Sequence, residues 1–360
     1  MTGSVLDSTA AWNALLEEFR SFGGQAENLM QREGPLGLGL FPIDPCNPVN
    51  LLVPRSLLVP ADNVELHNGD AVIKDDSAFP SGYADWFRRY QASYSWGAEG
   101  KVSVTRFERG LETLPNNVSE LLSQLKLYQP EHRLTGKTFE DSMLRRFLNS
   151  RCLGRQGQLL VMPVVELVNH SPTATNWQTH PDGGVGISGQ HNNEVLVKYS
   201  NADPLRRLMG YGFNARETLG FSLSVGLRHR EQLIEVKGGG GRHWFRPPAL
   251  GQEDKRLVIQ QPLLSCQEHP RMPLTLFLSA CQRACRTDGQ ELFERIHQAN
   301  TLALVELLRR LDAVPSEIAS LLRLGCLNQL TALSHHIGHH AELVDSFEAL
   351  SNELKPPKTA

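Results

Sequence analysis

The sequence predicts an α+β fold in which short strands dominate the first two thirds and helices the remainder. Three observations lead there. Brief apolar runs interrupted by Gly and Pro recur up to about residue 235, the pattern of short strands joined by turns. After about residue 268 the character changes, and three long segments carry apolar residues at helical spacing. A content of 40% hydrophobic and 21% charged residues over 360 positions is that of an ordinary globular chain, long enough for two domains or for one with a large insertion.

Taken in order, MTGSVLDSTAAWNALLEEFRSF sets Trp12, Leu15, Leu16 and Phe19 on one stripe, which predicts an amphipathic helix ending near Phe22-Gly23-Gly24. EGPLGLGLFPID is Gly-rich, and NLLVPRSLLVP holds two Leu/Val runs broken by Pro54 and Pro60, read as short strands. The stretch from about 62 to 135 is mixed, with LLSQLKLY helical. DSMLRRFLNSRCL spaces Met143, Leu144, Phe147 and Leu148 as a helix does, and LLVMPVVELV reads as a strand region. EVLVKYS alternates Val195, Val197 and Tyr199 against polar neighbours, a half-buried strand; DPLRRLMGYGF is a short helix stopping at Gly210; FSLSVGL is another strand. VKGGGGRHWFRPP is a loop and a candidate boundary. PLTLFLSACQRACR and the two segments after it are helical.

Composition excludes more than it selects. A formal net charge of −3 gives no global call for nucleic acid or a membrane surface. No apolar run approaches the roughly 20 residues that span a bilayer. The N-terminal stretch lacks the basic, apolar and small-residue regions of a secretory leader. The six cysteines, at 46, 152, 266, 281, 285 and 326, lack C-x-x-C spacing, which suits a reducing, cytoplasmic setting over a disulfide framework. Asn117-Val118-Ser119 and Asn169-His170-Ser171 match a glycosylation acceptor, a reading that needs a secreted chain and so is set aside. His335, His336, His339 and His340 could form two i,i+4 pairs, but Gly338 interrupts the helix and no acidic or Cys ligand stands beside them, so an exposed polar face is expected and no metal. Cys281 and Cys285 read as buried small residues on one helix face. The glycines of GPLGLG are followed by FPIDP and not by a helix, which excludes a dinucleotide fingerprint.

One run resists a purely structural reading. In VELVNHSP an apolar segment leads directly into Asn169-His170-Ser171, and buried polar groups without partners cost roughly 1–3 kcal/mol each. GLGLF lies upstream and Tyr211-Gly212-Phe213 lies about forty residues downstream. In that order, with the helical tail, these segments resemble the SET-domain family, in particular the branch similar to Rubisco large-subunit lysine methyltransferase. The resemblance spans about Glu33 to Leu350. It implies small curved β-sheets around a pseudoknot, in which the Asn-His segment passes beneath the Tyr segment, over residues 1–235 with an inserted subdomain at about 62–140. An all-α substrate-binding domain would follow over 236–360. It also implies S-adenosylmethionine as cofactor and a protein substrate docked in part by the helical domain.

Carried over residue by residue, the resemblance makes Leu36, Gly37 and Leu38 the first cofactor-contacting loop, where a glycine permits close main-chain approach. Arg151 would hold the cofactor's carboxylate, and Asn169 and His170 its adenine and amino-acid regions. Tyr211 would be the catalytic tyrosine, with its hydroxyl by the transferring methyl. Two positions depart from the pattern. Glu166 stands where the family has Asp, one methylene longer, and Phe221 keeps the ring of a second family tyrosine without its hydroxyl. Both count, with Tyr211, among the expected cofactor-binding positions. Leu153 and Val165 match neither the lysine-directed nor the histidine-directed branch. The chemistry is an in-line displacement, needing a neutral nucleophile about 3–3.5 Å from the methyl. A free lysine is neutral about one time in a thousand near pH 7.4, a handicap of roughly 4 kcal/mol that desolvation in a narrow channel reduces. Lysine methylation is therefore the leading expectation. Histidine methylation and a non-catalytic module that keeps the fold stand beside it.

Overall fold

The stripe on the first helix is buried: Trp12, Leu15, Leu16 and Phe19 are core residues of the helix Gly3–Ser21. Its end is chemically simple. Gly23 takes φ +100°, and the N–H groups of Gly23 and Gly24 return to the carbonyls of Arg20 and Phe19, which satisfies the last turn. This computed structural model describes residues 3–128, 138–239 and 245–335, and divides into two compact units. The first comprises Met1–Arg106 with Pro130–Tyr199, the second Phe107–Gln129 with Ser200–Ala360.

In the first unit the strands are short and the sheets small, as the broken Leu/Val runs predict. Val49–Val53 is the centre of an antiparallel sheet, flanked by Gln25–Glu27 on one side and Val185–Gly189 on the other, with Gln178–Thr179 beyond. Pro54 and Pro60 interrupt the chain as expected, leaving a 3-10 turn at Arg55–Leu57 and the strand Val59–Pro60. That strand pairs with Gln158–Val161, which pairs with Cys152–Arg155. Leu29–Gly34 and Gly37–Pro42 form a hairpin in which Gly34 faces Gly37, and Val64–His67 and Asp70–Ile73 form a second.

The mixed stretch from 62 holds an element that sequence reading passed over. Tyr83, Trp86, Phe87 and Tyr90 are wholly buried on one face of the helix Tyr83–Tyr94, at i, i+3, i+4 and i+7. The rings of Phe79, Tyr83, Trp86 and Tyr90 stack successively at 5.3 Å. Trp86 donates to the carbonyl of Leu15 at 2.9 Å and Tyr83 to that of Leu57 at 2.6 Å, so each buried polar tip has a partner.

The second unit has its own core. Leu205, Leu208, Phe277, Phe293, Leu304 and Leu322, with many others, form one buried cluster. The helices Met272–Arg283, Gly289–Asp312 and Glu317–Leu333 match the helix-periodic tail. The centre of the loop expected over VKGGGGRHWFRPP, residues 240–244, lies outside the described residues, and between residue 245 and the tail lie three strands that sequence reading did not assign. Ala249–Glu253 and Arg256–Gln260 join Val225–His229 and Gln232–Lys237 in a four-stranded sheet, and Leu263–Cys266 pairs with Leu219–Phe221. Two expectations need correction. The helix Pro204–Tyr211 runs through Gly210 and ends one residue past it, because Gly212, at φ +81°, is the left-handed cap whose N–H returns to the Leu208 carbonyl. Cys281 is buried as expected, but Cys285 is exposed: the helix stops at Arg283, and Cys285, at φ +54°, turns the chain away. His336, His339 and His340 lie outside the described residues. Among the described residues no group of three or more metal-ligating side chains occurs, and no helix is long and apolar enough to cross a membrane.

Candidate functional site

The apolar run before Asn169 is not one strand. Gln158–Val161 is extended, then Pro163 and Val164 break the line and Val165–Leu167 form a 3-10 turn. Val164 has φ +68°, an outlier for a β-branched residue, and it is held there by complete burial and by the hydroxyl of Tyr90, which accepts its N–H at 2.9 Å. This bend delivers Asn169–His170 to a two-residue parallel ladder with Leu196–Val197. The Ser171 N–H bonds the Val197 carbonyl, and the Val195 N–H bonds the Leu40 carbonyl at 2.8 Å, tying the Gly-rich hairpin to the same group of segments.

Asn169 meets one other predicted residue, Leu38. Its Nδ2 donates to the Leu38 carbonyl at 3.1 Å and to Glu194 Oε1 at 2.6 Å. Both acceptors carry lone pairs only, so the amide nitrogen must face them. No hydrogen bond reaches Asn169 Oδ1 or Glu194 Oε2 from the described residues. Gly39 is required by the crowding: a Cβ there would lie 2.2 Å from Glu194 Oε1 and 2.7 Å from Asn169 Nδ2. Gly37 serves differently. At φ +89° it closes the hairpin turn, with Leu36 exposed at its tip.

His170 is buried, and its Nδ1 accepts the Tyr199 N–H at 3.2 Å, which puts its ring proton on Nε2. Tyr199 in turn donates to the Val168 carbonyl at 2.6 Å. Arg151 ends the helix Phe139–Arg151, stacks its guanidinium 4.3 Å from the Phe147 ring and donates from Nη1 to Ser150. Its Nε is buried without a hydrogen-bond partner among the described residues.

Glu166 turns its carboxylate toward a helix. Its Oε1 accepts from Tyr90, Gln91 and Ser95 at 3.0, 2.8 and 2.7 Å, so it is engaged by the helix Tyr83–Tyr94 and the residue that follows it. Oε2 has no partner among the described residues. Burial holds this carboxyl above the ordinary carboxylate range, and the nearby Arg151 charge opposes that only in part.

Tyr211 and Phe221 belong to the second unit. Tyr211 is the last residue of its helix, half-buried, with the Arg207 guanidinium 4.7 Å from its ring centre. Arg207 is itself wholly buried and bonds Glu217 at 2.6 Å and the Ser200 carbonyl at 2.9 Å. Phe221 is buried with Leu219, Leu263 and Cys266, and its carbonyl accepts from Gln329. A cavity of about 670 Å³ opens in the first unit between Asp62, Lys74, Asp141, Arg145 and Asn149, and none of the cofactor-binding or catalytic residues expected from sequence borders it. Glu194 is the functional candidate that sequence reasoning missed. Nothing in NNEV marks it, and its partner lies 25 positions away.

No protein-family model and no curated protein matches the chain. Solved structures do. The chain is similar to the SET domain of LSMT bound to lysine and AdoHcy, at 14% identity over 98% of this chain and 93% of that one, with a TM-score of 0.41. It is similar to Rubisco LSMT bound to sinefungin and monomethyllysine, at 14% identity over 96% and 93%, TM-score 0.41. A third, Rubisco LSMT bound to AdoMet, gives 14% identity over 95% and 92%, TM-score 0.39. Likeness of this degree leaves the chemistry to be argued from the residues.

Proposed function

We propose that this chain is a SET-type methyltransferase that uses S-adenosylmethionine and methylates a lysine side chain of a protein substrate. One observation carries the reading: the Asn169 carboxamide is clamped by both its hydrogens, to the Gly-rich hairpin and to Glu194, leaving Oδ1 to accept from a ligand. Arg151 supports it, because a buried guanidinium nitrogen with no partner among the described residues suits a carboxylate. Together they match the polar ends of an amino acid joined to a nucleoside.

In this reading Arg151 holds the cofactor's carboxylate, Asn169 accepts from a donor group of the cofactor, and His170 and the main chain of Leu36, Gly37 and Leu38 line its binding segment. The cofactor, when bound, supplies an electrophilic methyl on a sulfonium sulfur. Tyr211 orients the acceptor amine through its hydroxyl. The chain needs no strong acid for the transfer, only a site that keeps the amine neutral by excluding water. The functional division follows the resemblance: a SET domain over 1–235 with an inserted segment at about 62–140, and a helical substrate-binding domain over 236–360. Leu302 and Val305, exposed on the helix Gly289–Asp312, are suited to contact with a protein substrate. Six free cysteines suit a reducing compartment such as the cytoplasm.

Phe221 and Glu166 favour a second reading, a module that keeps the fold without turnover: one ring lacks the hydroxyl and one carboxylate is committed to a helix. The test is isothermal calorimetry with S-adenosylmethionine and S-adenosylhomocysteine, followed by mass spectrometry of cell extract treated with isotopically labelled donor. Binding with a labelled lysine is the expected result. Label on histidine would reassign the acceptor, binding without label would leave the module, and no binding would end the proposal.

A further inference from the structure

Glu194 makes the shortest contact to the proposed cofactor ligand, 2.6 Å from its Oε1 to Asn169 Nδ2. Its position is built. Val195, the next residue, is anchored by its N–H to Leu40, and Leu196 is in register with Asn169 in the parallel pair. The carboxylate lies against two glycines of the hairpin: its Oε1 would be 2.2 Å from a Cβ at Gly39 and its Oε2 3.5 Å from one at Gly34. Any side chain at 39 would evict it.

We propose that Glu194 is a positioning residue that sets the polarity of Asn169 for cofactor binding; this rests on the reading of Asn169 as a cofactor ligand. A carboxamide can turn over, exchanging its donor and acceptor ends, and the two orientations differ little in shape. The Leu38 carbonyl occupies one amide hydrogen. The Glu194 carboxylate occupies the other through a charge-assisted bond, so turning the amide would set its oxygen against two acceptors. Asn169 is thereby held as an acceptor, and the site selects a ligand that offers a donor there.

The experiment is calorimetric binding of S-adenosylhomocysteine to the full chain, with melting midpoints measured in parallel. Glu194→Ala should raise Kd about tenfold, the scale of a lost charge-assisted hydrogen bond. Glu194→Gln should bind within about threefold of wild type, since its amide oxygen can still accept from Asn169. Both should melt close to wild type. Should the alanine variant not fold, Glu194→Asp withdraws the carboxylate by one methylene and should show the same loss. Wild-type affinity in the alanine or aspartate variant overturns the positioning role. A glutamine variant as weak as the alanine variant also overturns it, because the charge would then be acting on the ligand directly. Failure of the wild-type chain to bind is a different result: it removes the methyltransferase reading itself.

Discussion

Among single residues, two carboxylates in one unit have opposite assignments. Glu194 is half-buried beside the proposed ligand, whereas Glu166 is buried beneath a helix and accepts three hydrogen bonds on one oxygen. Because burial raises its folded-state pKa, the stability Glu166 contributes is complete below the ordinary carboxylate range and is lost as pH rises through the raised value. Glu166→Gln has no charge to lose. Its melting midpoint relative to wild type should therefore climb as pH rises above the ordinary carboxylate range; a difference that stays flat or falls would show that the carboxylate is not desolvated. Tyr211 makes a second prediction. Tyr211→Phe keeps the ring and should lower kcat by about 100-fold or more while S-adenosylhomocysteine affinity holds. A variant with near wild-type turnover would remove Tyr211 from the chemistry. Asn169 and Leu38 could be named from motif order alone. Glu194 could not, since a lone Glu before an apolar pair has no local signature.

Among the elements, glycine placement explains what the periodicity alone does not. Two glycines flank Tyr211, and only Gly212 takes a left-handed φ; Gly210 continues the helix. Apolar spacing is the same for either stop, and the backbone decides. Gly212→Ala should cost about 1 kcal/mol, read as a fall in the melting midpoint, while Gly210→Ala should be neutral or slightly stabilising, because alanine favours a helix interior. Equal effects at the two positions would contradict the cap assignment. The helix Tyr83–Tyr94 was legible in principle, since its four buried aromatic residues, Tyr83, Trp86, Phe87 and Tyr90, follow the helical repeat. Its polar neighbours Arg88, Arg89 and Gln91 dilute the average, and a reading by apolar content passes over it. The bend at Pro163-Val164 was not legible: valine at positive φ has no sequence signal and exists only because the surrounding core and the Tyr90 hydroxyl hold it.

For the molecule as a whole, the six cysteines offer a direct check on burial. Cys46 and Cys285 are exposed, Cys266, Cys281 and Cys326 are buried, and Cys152 is largely covered. Burial pushes the Cys326 thiol up to about 12 and raises Cys152 and Cys281 as well, which suppresses the reactive thiolate. A thiol reagent applied to the native chain should label Cys46 and Cys285 rapidly and the other four only after denaturation, counted by mass spectrometry. Rapid labelling of Cys326 would mean that the core of the second unit opens in the native state.

Local spacing and the cost of burying polar groups were enough to specify the kinds of element and the residues that draw attention: strands broken at Pro54 and Pro60, a helical tail, and a polar triplet after an apolar run. Which polar groups satisfy one another emerged only in the folded chain. The parallel pairing of Asn169–His170 with Leu196–Val197 brings Glu194 to Asn169, and the packing of Tyr83–Tyr94 draws Glu166 to Tyr90, Gln91 and Ser95. Range accounts for the difference. Propensity and capping act over a few residues, whereas a buried hydrogen bond joins whatever the core brings together, however far apart in the chain.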